Sequence, residues 1–250
     1  MQVEIRSMLN TMLYATHATH TVRRSLGPVF GCGVRTFSLL LFLTATVFGQ
    51  PAQSRSEQEM TAEMKRRVVE TLQVQEGQTV ADVGCGDGFY TIPLARALGA
   101  AGKVLAVDID EAALSKLMQR LADEGINNVE AIKGKTDDPL LPLNGLDAVL
   151  VANAYHEMTA HEAMLRHIRS ALRPGGVLVI MEGIWENREN QARDEQTKRH
   201  QLAPAIAKQE VETSGFEVVS VRDPFLERTP DEDGKSRWWV IVARRPAVAR

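Results

Sequence analysis

The feature that most constrains this chain is the run Val80-Ala81-Asp82-Val83-Gly84-Cys85-Gly86-Asp87-Gly88-Phe89-Tyr90. A short apolar stretch stops at glycines on alternate positions and gives way to a helical pattern, which predicts strand, tight turn and helix. Gly84, Gly86 and Gly88 permit positive φ and let a ligand approach without meeting a Cβ atom, while the helix beyond offers unpaired N–H groups. The next apolar run, Lys103 to Val107, ends in Asp108, twenty residues after Gly88. That spacing suits a carboxylate reaching a pair of ribose hydroxyls. A dinucleotide fingerprint needs glycine where this chain has Phe89, so nicotinamide binding is the weaker reading. The bland alternative is a plain tight turn.

Beyond the loop, strand and helix patterns alternate. Strands are expected at Thr79 to Val83, Val104 to Val107, Val129 to Lys133, Leu146 to Asn153 and Val177 to Glu182. Helices are expected at Tyr90 to Leu98, Glu111 to Glu124 and His161 to Leu172. Such alternation predicts a parallel sheet with right-handed crossovers, and the nearly all-apolar Leu146 to Asn153 predicts a strand covered on both faces. Ser56 and Glu59 have capping-box spacing for a helix to about Leu72, with Met60, Met64, Val68 and Leu72 on one apolar face. Trp185 to Ser214 is charge-rich and expected to be helical, followed by strands at Phe216 to Val221 and Trp238 to Ala243.

Four segments, Asp82-Val83-Gly84-Cys85-Gly86-Asp87-Gly88, Val107-Asp108-Ile109-Asp110, Asn153-Ala154-Tyr155-His156-Glu157-Met158 and Leu172-Arg173-Pro174-Gly175-Gly176, follow one another in a familiar order. In this order the chain resembles the class I S-adenosylmethionine-dependent methyltransferases, nearest their small-molecule branch that includes the quinone-biosynthesis C-methyltransferases. The resemblance covers about residues 57 to 245. It implies a Rossmann-like α/β fold, a seven-stranded mostly parallel sheet with an antiparallel last strand and helices on both faces. It also implies S-adenosylmethionine as cofactor and a small-molecule acceptor at oxygen, carbon or sulfur.

Carried over residue by residue, the resemblance places Asp82, Gly84, Cys85, Gly86, Gly88 and Tyr90 around the cofactor, Asp108 on its ribose and Ile109 against its adenine. Family members usually carry an Asp where this chain has Lys135; Thr136 and Asp137 are the substitutes at hand, although Asp137-Asp138-Pro139 also reads as a turn. Asn153, at the end of the fourth strand, is carried over as a further cofactor contact. His156, with Glu157 beside it, could take a proton from a phenol, carboxylic acid or activated carbon. The competing reading is that His156 and Glu157 only shape the pocket. Asp82, Asp108, the 136–138 segment, the 153–157 segment and Glu182 all fall at carboxyl ends of expected strands, where a parallel sheet collects ligand contacts.

Other chemistries are disfavoured. Ala154 breaks the Asn/Asp-Pro-Pro-Tyr signature of base- and amide-directed methyltransferases, and Thr159 stands where an oxidoreductase's Tyr-x-x-x-Lys pair would place lysine after Tyr155. No acidic cluster resembles a catechol-type magnesium site and the six histidines show no metal-ligand spacing, so no metal is expected. Arg188, Arg193, Lys198, Arg199 and His200 could recognise an anionic substrate or form a solvated face with Glu189 and Glu195 as partners.

The first 49 residues carry four arginines against one glutamate; with a total formal charge of −3, the rest stands at −6. An acidic body argues against a nucleic-acid partner. Arg35 precedes the neutral run Phe37 to Phe48, which is short for a bilayer span but suits a signal-peptide core, with Val47 and Gly49 at −3 and −1 of a cut before Gln50. Residues 1–49 are thus expected to be a leader, 50–56 a linker and 246–250 a tail. Export to the periplasm or medium, without a stable membrane span after leader removal, is the first reading. An uncleaved anchor and a true start at Met60 or Met64, giving a cytoplasmic protein, are the alternatives. A different class of function, an exported ligand-binding module that keeps the fold without turnover, stays open.

Overall fold

Alternation of side chains along a buried strand sends successive residues to opposite faces, and here both faces are apolar. In the computed structural model, which describes residues 55–227 and 236–247, the runs fold into strands β1 (Thr79–Val83), β2 (Lys103–Asp108), β3 (Val129–Lys133), β4 (Leu146–Ala152), β5 (Leu172–Trp185), β6 (Glu217–Glu227) and β7 (Ser236–Arg244). The expected leader, residues 1–49, lies outside the described residues, as do most of the linker and residues 248–250 of the tail. The helices are α1 (Arg55–Leu72), α2 (Thr91–Leu98), α3 (Glu111–Asp123), α4 (His161–Ala171), α5 (Arg193–Thr197) and α6 (Pro204–Thr213).

The strands form one seven-stranded sheet in the order β3-β2-β1-β4-β5-β7-β6. β1 to β5 are parallel to one another; β7 runs antiparallel to both β5 and β6. On one face Ala81, Val83, Val149, Val151, Leu178 and Ile180 meet Leu165 and Ile168 of α4 and Ala207 and Val211 of α6. On the other, Val80, Ala148, Leu150 and Val179 meet Val68 and Leu72 of α1 and Leu94 and Leu98 of α2. Each fully buried Leu, Ile or Val contributes roughly 1.5–3 kcal/mol. Among the described residues no helix is long and apolar enough to cross a membrane.

Three expectations need correction. In the simplest, the strand expected at Phe216 to Val221 runs on to Glu227. The helix expected over Trp185 to Ser214 is broken into a 3-10 turn at Glu186–Arg188, α5 and α6. The break is made by Gln196, fully buried, whose Nε2 donates to the carbonyls of Glu189 and Gln191 and whose Oε1 accepts from the Ala203 amide; Pro204 then begins α6. β5 also outruns its expected Val177 to Glu182, because β7 pairs with it as far as Trp185 opposite Ser236. Its pairing with β4 jumps from Leu146–Leu172 to Ala148–Val177, so Arg173 to Gly176 form a bulge.

From β1 the chain steps outward through β2 to β3, then returns to lay β4 on the other side of β1. This reversal opens a crevice beyond the carboxyl ends of β1 and β4, the usual ligand position in such sheets.

Candidate functional site

The three glycines after β1 serve three different purposes. At Gly84, with φ +78°, an added Cβ would lie 2.3 Å from the Cβ of Ala154, so this residue lets the loops after β1 and β4 touch across the crevice. At Gly88, with φ +93°, an added Cβ would lie 2.4 Å from Leu117 Cδ1, so it lets α3 close over the loop. Gly86, with φ +55°, has nothing within 4 Å of that position. Its Cα side faces open space, which makes it the point where a ligand can lie against bare backbone.

The loop is bound to β2. The Gly84 and Cys85 amides donate to the Val107 carbonyl, and the Gly86 amide donates to Asp108 Oδ2 at 2.8 Å. Asp108 Oδ1 accepts from the Asp110 amide at 2.9 Å. The two bonds orient the Asp108 carboxylate at the lip of the loop. Beside it Ile109 is 52% exposed, an apolar side chain held at the surface of an otherwise polar lip. Asp110 caps α3 by accepting from the Ala112 amide. After β3, Asp138 is the carboxylate that makes the turn, accepting from Leu140; Lys135, Thr136 and Asp137 are exposed next to it.

Beneath the loop three of the expected site residues are buried. Asp82 accepts from the Thr91 hydroxyl at 2.7 Å, tying the end of β1 to the first turn of α2, and burial pushes its carboxyl up to about 7, with Asp108 adding to the rise and Thr91 opposing it. Burial, with Asp82 and Asp108 nearby, also raises the Cys85 thiol, so Cys85 is a packed neutral thiol rather than a nucleophile. The Tyr90 ring belongs to the core, its hydroxyl 4.0 Å from Met181 Sδ, and burial raises its pKa too.

Across the crevice, β4 ends at Asn153, whose φ of +53° turns the chain sharply while its amide donates to the Met181 carbonyl. The turn Tyr155–Glu157 follows. His156 is buried, with Nδ1 2.7 Å from Glu182 Oε2 and its amide 3.2 Å from Glu182 Oε1. Glu182, fully buried on β5, thus holds the imidazole by ring and backbone together. Burial works to lower the His156 pKa, but the Glu182 contact and the Glu157 charge outweigh it, and the net shift is upward. Glu157 Oε1 lies 3.8 Å from His156 Nε2 and 3.7 Å from His200 Nδ1.

Sequence reasoning placed Glu182 at a strand end without linking it to His156, and set His200 in a basic run read as either anion-recognising or solvated. It gave Glu210 no role. In the fold Glu210 accepts from the Tyr155 hydroxyl at 2.8 Å and from Arg193 Nε at 2.7 Å, with His161 Nε2 at 3.4 Å. Arg193 is therefore a structural clamp between α5 and α6. Of the two acidic partners expected for the basic run, Glu195 does pair with Lys198 on the surface, whereas Glu189 pairs with Arg237 of β7.

A methyltransferase-domain profile matches residues 80–176. The ubiquinone/menaquinone biosynthesis C-methyltransferase of Escherichia fergusonii is 33% identical over 119 residues, 47% of each chain. A demethylmenaquinone methyltransferase of Geobacillus stearothermophilus is 30% identical over 118 residues, 47% of this chain and 50% of that protein. The chain thus spans about half the length of the curated relatives it matches. In fold it is similar to a SAM-dependent methyltransferase from Aquifex aeolicus, with a TM-score of 0.59 at 22% identity over 74% of this chain and 97% of that one. The cyclase SpnF has a TM-score of 0.62 at 17% identity, over 74% and 81% of the two chains. The matched segment runs from β1 to the start of β5 and carries both lips of the crevice; it is a methyltransferase domain of the kind whose cofactor is S-adenosylmethionine, and over it the chain is similar to the quinone-biosynthesis C-methyltransferases.

Proposed function

We propose that this protein transfers a methyl group to a small molecule at oxygen, carbon or sulfur. The observation that carries the reading is the open side of Gly86 next to the oriented carboxylate of Asp108, a cradle that a Cβ would fill. The residues fit S-adenosylmethionine. Gly86 gives close backbone approach, Asp108 accepts from ribose hydroxyls, Ile109 offers an apolar face to adenine, and the exposed Thr136 and Asp137 after β3 are read as polar contacts to the ring. The cofactor supplies a methyl group already activated on a sulfonium.

What the chain contributes is alignment and exclusion of water. The close contact between Gly84 and Ala154 fixes the loop after β1 against the loop after β4, so cofactor and acceptor sides are held in register. Asn153, in its left-handed conformation, starts the acceptor side. His156 is held by Glu182 at Nδ1 and presents Nε2 toward Glu157, an arrangement able to receive a proton from an acidic acceptor. One relative named as a ubiquinone/menaquinone biosynthesis C-methyltransferase and another named as a demethylmenaquinone methyltransferase support a carbon acceptor of quinone type among the three choices. We further read residues 1–49 as an export leader, on the strength of Arg35, the neutral run 37–48 and the small residues before Gln50.

The test is calorimetric titration of the full chain with S-adenosylmethionine, S-adenosylhomocysteine and NAD, repeated on Asp108→Ala. The expected result is saturable binding of the first two, no response to NAD and at least a tenfold loss in the variant. Wild-type affinity in Asp108→Ala would reject its ribose role; NAD binding alone would replace the proposal by an oxidoreductase.

A further inference from the structure

We infer that His156, Glu157 and His200 form a binding site for a borderline divalent metal ion such as Zn²⁺, at the acceptor side of the crevice. One nitrogen from each histidine and one carboxylate oxygen of Glu157 all lie within 4.8 Å of one another. The Glu157–His156 and Glu157–His200 separations, 3.8 and 3.7 Å, are too long for hydrogen bonds. They are close to the spacing of two ligands on one ion: with nitrogen and oxygen donors about 2.1 Å from zinc, a tetrahedral edge is about 3.4 Å. The imidazole rings stand nearly perpendicular, 83° apart with centroids at 5.6 Å, so the two donors converge from different directions.

The surroundings are those of a metal ligand. Glu182, fully buried, accepts from Nδ1–H of His156 at 2.7 Å and thereby leaves the lone pair on Nε2, the atom nearest Glu157. A carboxylate behind a ligating histidine is the usual outer partner, fixing tautomer and orientation. His200 reaches the site because its own φ is +56°, in the break between α5 and α6. Two imidazoles and one carboxylate suit zinc and its neighbours; magnesium and calcium prefer all-oxygen sets. Three protein ligands leave a position open for water or an acceptor oxygen.

The role of the ion rests on the methyl-transfer reading, although its binding does not. An acceptor hydroxyl that coordinates the ion gives up its proton to solvent, and the metal–oxygen bond holds the resulting anion. In that state the Nε2 lone pair belongs to the ion, and coordination replaces His156 as the means of ionising the acceptor.

The experiment uses the full, untagged chain, stripped with a chelator, titrated with Zn²⁺ by calorimetry and with Co²⁺ by visible absorption, beside His200→Ala, Glu157→Gln and Glu182→Gln. The expected result is one saturable equivalent with intense visible bands for Co²⁺. His200→Ala and Glu157→Gln, both at half-exposed positions where the fold tolerates change, lower the affinity at least tenfold; Glu182→Gln, with normal circular dichroism, lowers it 10–100-fold. Zn²⁺ affinity in His200→Ala and Glu157→Gln equal to wild type, or the lack of a saturable equivalent, overturns the site. S-adenosylhomocysteine titration of the same samples separates the two proposals: its binding without metal binding refutes only the ion, and metal binding without it refutes only the methyl-transfer reading.

Discussion

Substituting the loop glycines one at a time separates binding from folding. In Gly86→Ala the new Cβ meets no atom within 4 Å, so the penalty is the left-handed backbone alone. That strain is about 1–2 kcal/mol, partly offset by roughly 0.4–1 kcal/mol from a stiffer unfolded chain. The net loss of about 1 kcal/mol corresponds to a fall of roughly 2–4 °C in melting temperature for a domain of this size. In Gly84→Ala the same strain is joined by a 2.3 Å approach to the Ala154 Cβ, which neither loop can yield without opening the crevice. Overpacking adds about 1–3 kcal/mol, for a net loss of roughly 2–4 kcal/mol. The order reverses for the cofactor. A methyl group on Gly86 occupies the ligand's place, and loss of 1.4 kcal/mol or more lowers affinity at least tenfold. Thermal denaturation and calorimetry with S-adenosylhomocysteine on both variants measure the two effects. Gly86→Ala with affinity within twofold of wild type would refute the cradle, and Gly84→Ala as stable as Gly86→Ala would refute the loop contact.

The remaining predictions concern Asp82 and the leader. The Asp82 carboxyl is raised from 3.8 to about 7, so between these values the folded chain holds a proton that the unfolded chain has released. Stability therefore falls as pH rises from about 4 to about 7, by up to ~4 kcal/mol, and the deficit persists above that window. Asp82→Asn keeps an acceptor for Thr91 and removes the titration; denaturant midpoints at pH 5 and pH 8 are expected to show the variant gaining on wild type at the higher pH, and a pH-independent difference would dismiss the raised pKa. For the leader, mass spectrometry of protein recovered from the producing cells is expected to give a mature N-terminus at Gln50; an intact Met1, or a start at Met60 or Met64, would reject cleavage there.

Much of the frame was legible because its signals are local. Alternating apolar runs, the glycine loop and the acidic end of β2 are patterns within a few residues, and they placed β1 to β4 to within a residue or two. The segment from Trp185 to Ser214 was not legible: its composition favours helix throughout, but the buried amide of Gln196 binds three backbone groups at once and holds the chain bent. Charge patterning likewise offered Arg193 either an anionic substrate or a solvated face, whereas the fold gives it Glu210 from the next helix.

The sequence by itself determined the doubly covered sheet, the crevice beyond β1 and β4, and Asp108 at its lip. Period-two burial, chain reversal and glycine freedom are properties of short stretches that no distant residue has to supply. The tertiary structure sets Gly84 against Ala154 and Gly88 against Leu117 and leaves the Cα side of Gly86 open. It alone put Glu182 behind His156 and swung His200 to Glu157. Those pairings join residues far apart in the chain, and a contact made when two separate strands or loops come to lie side by side leaves no periodicity in the sequence to announce it.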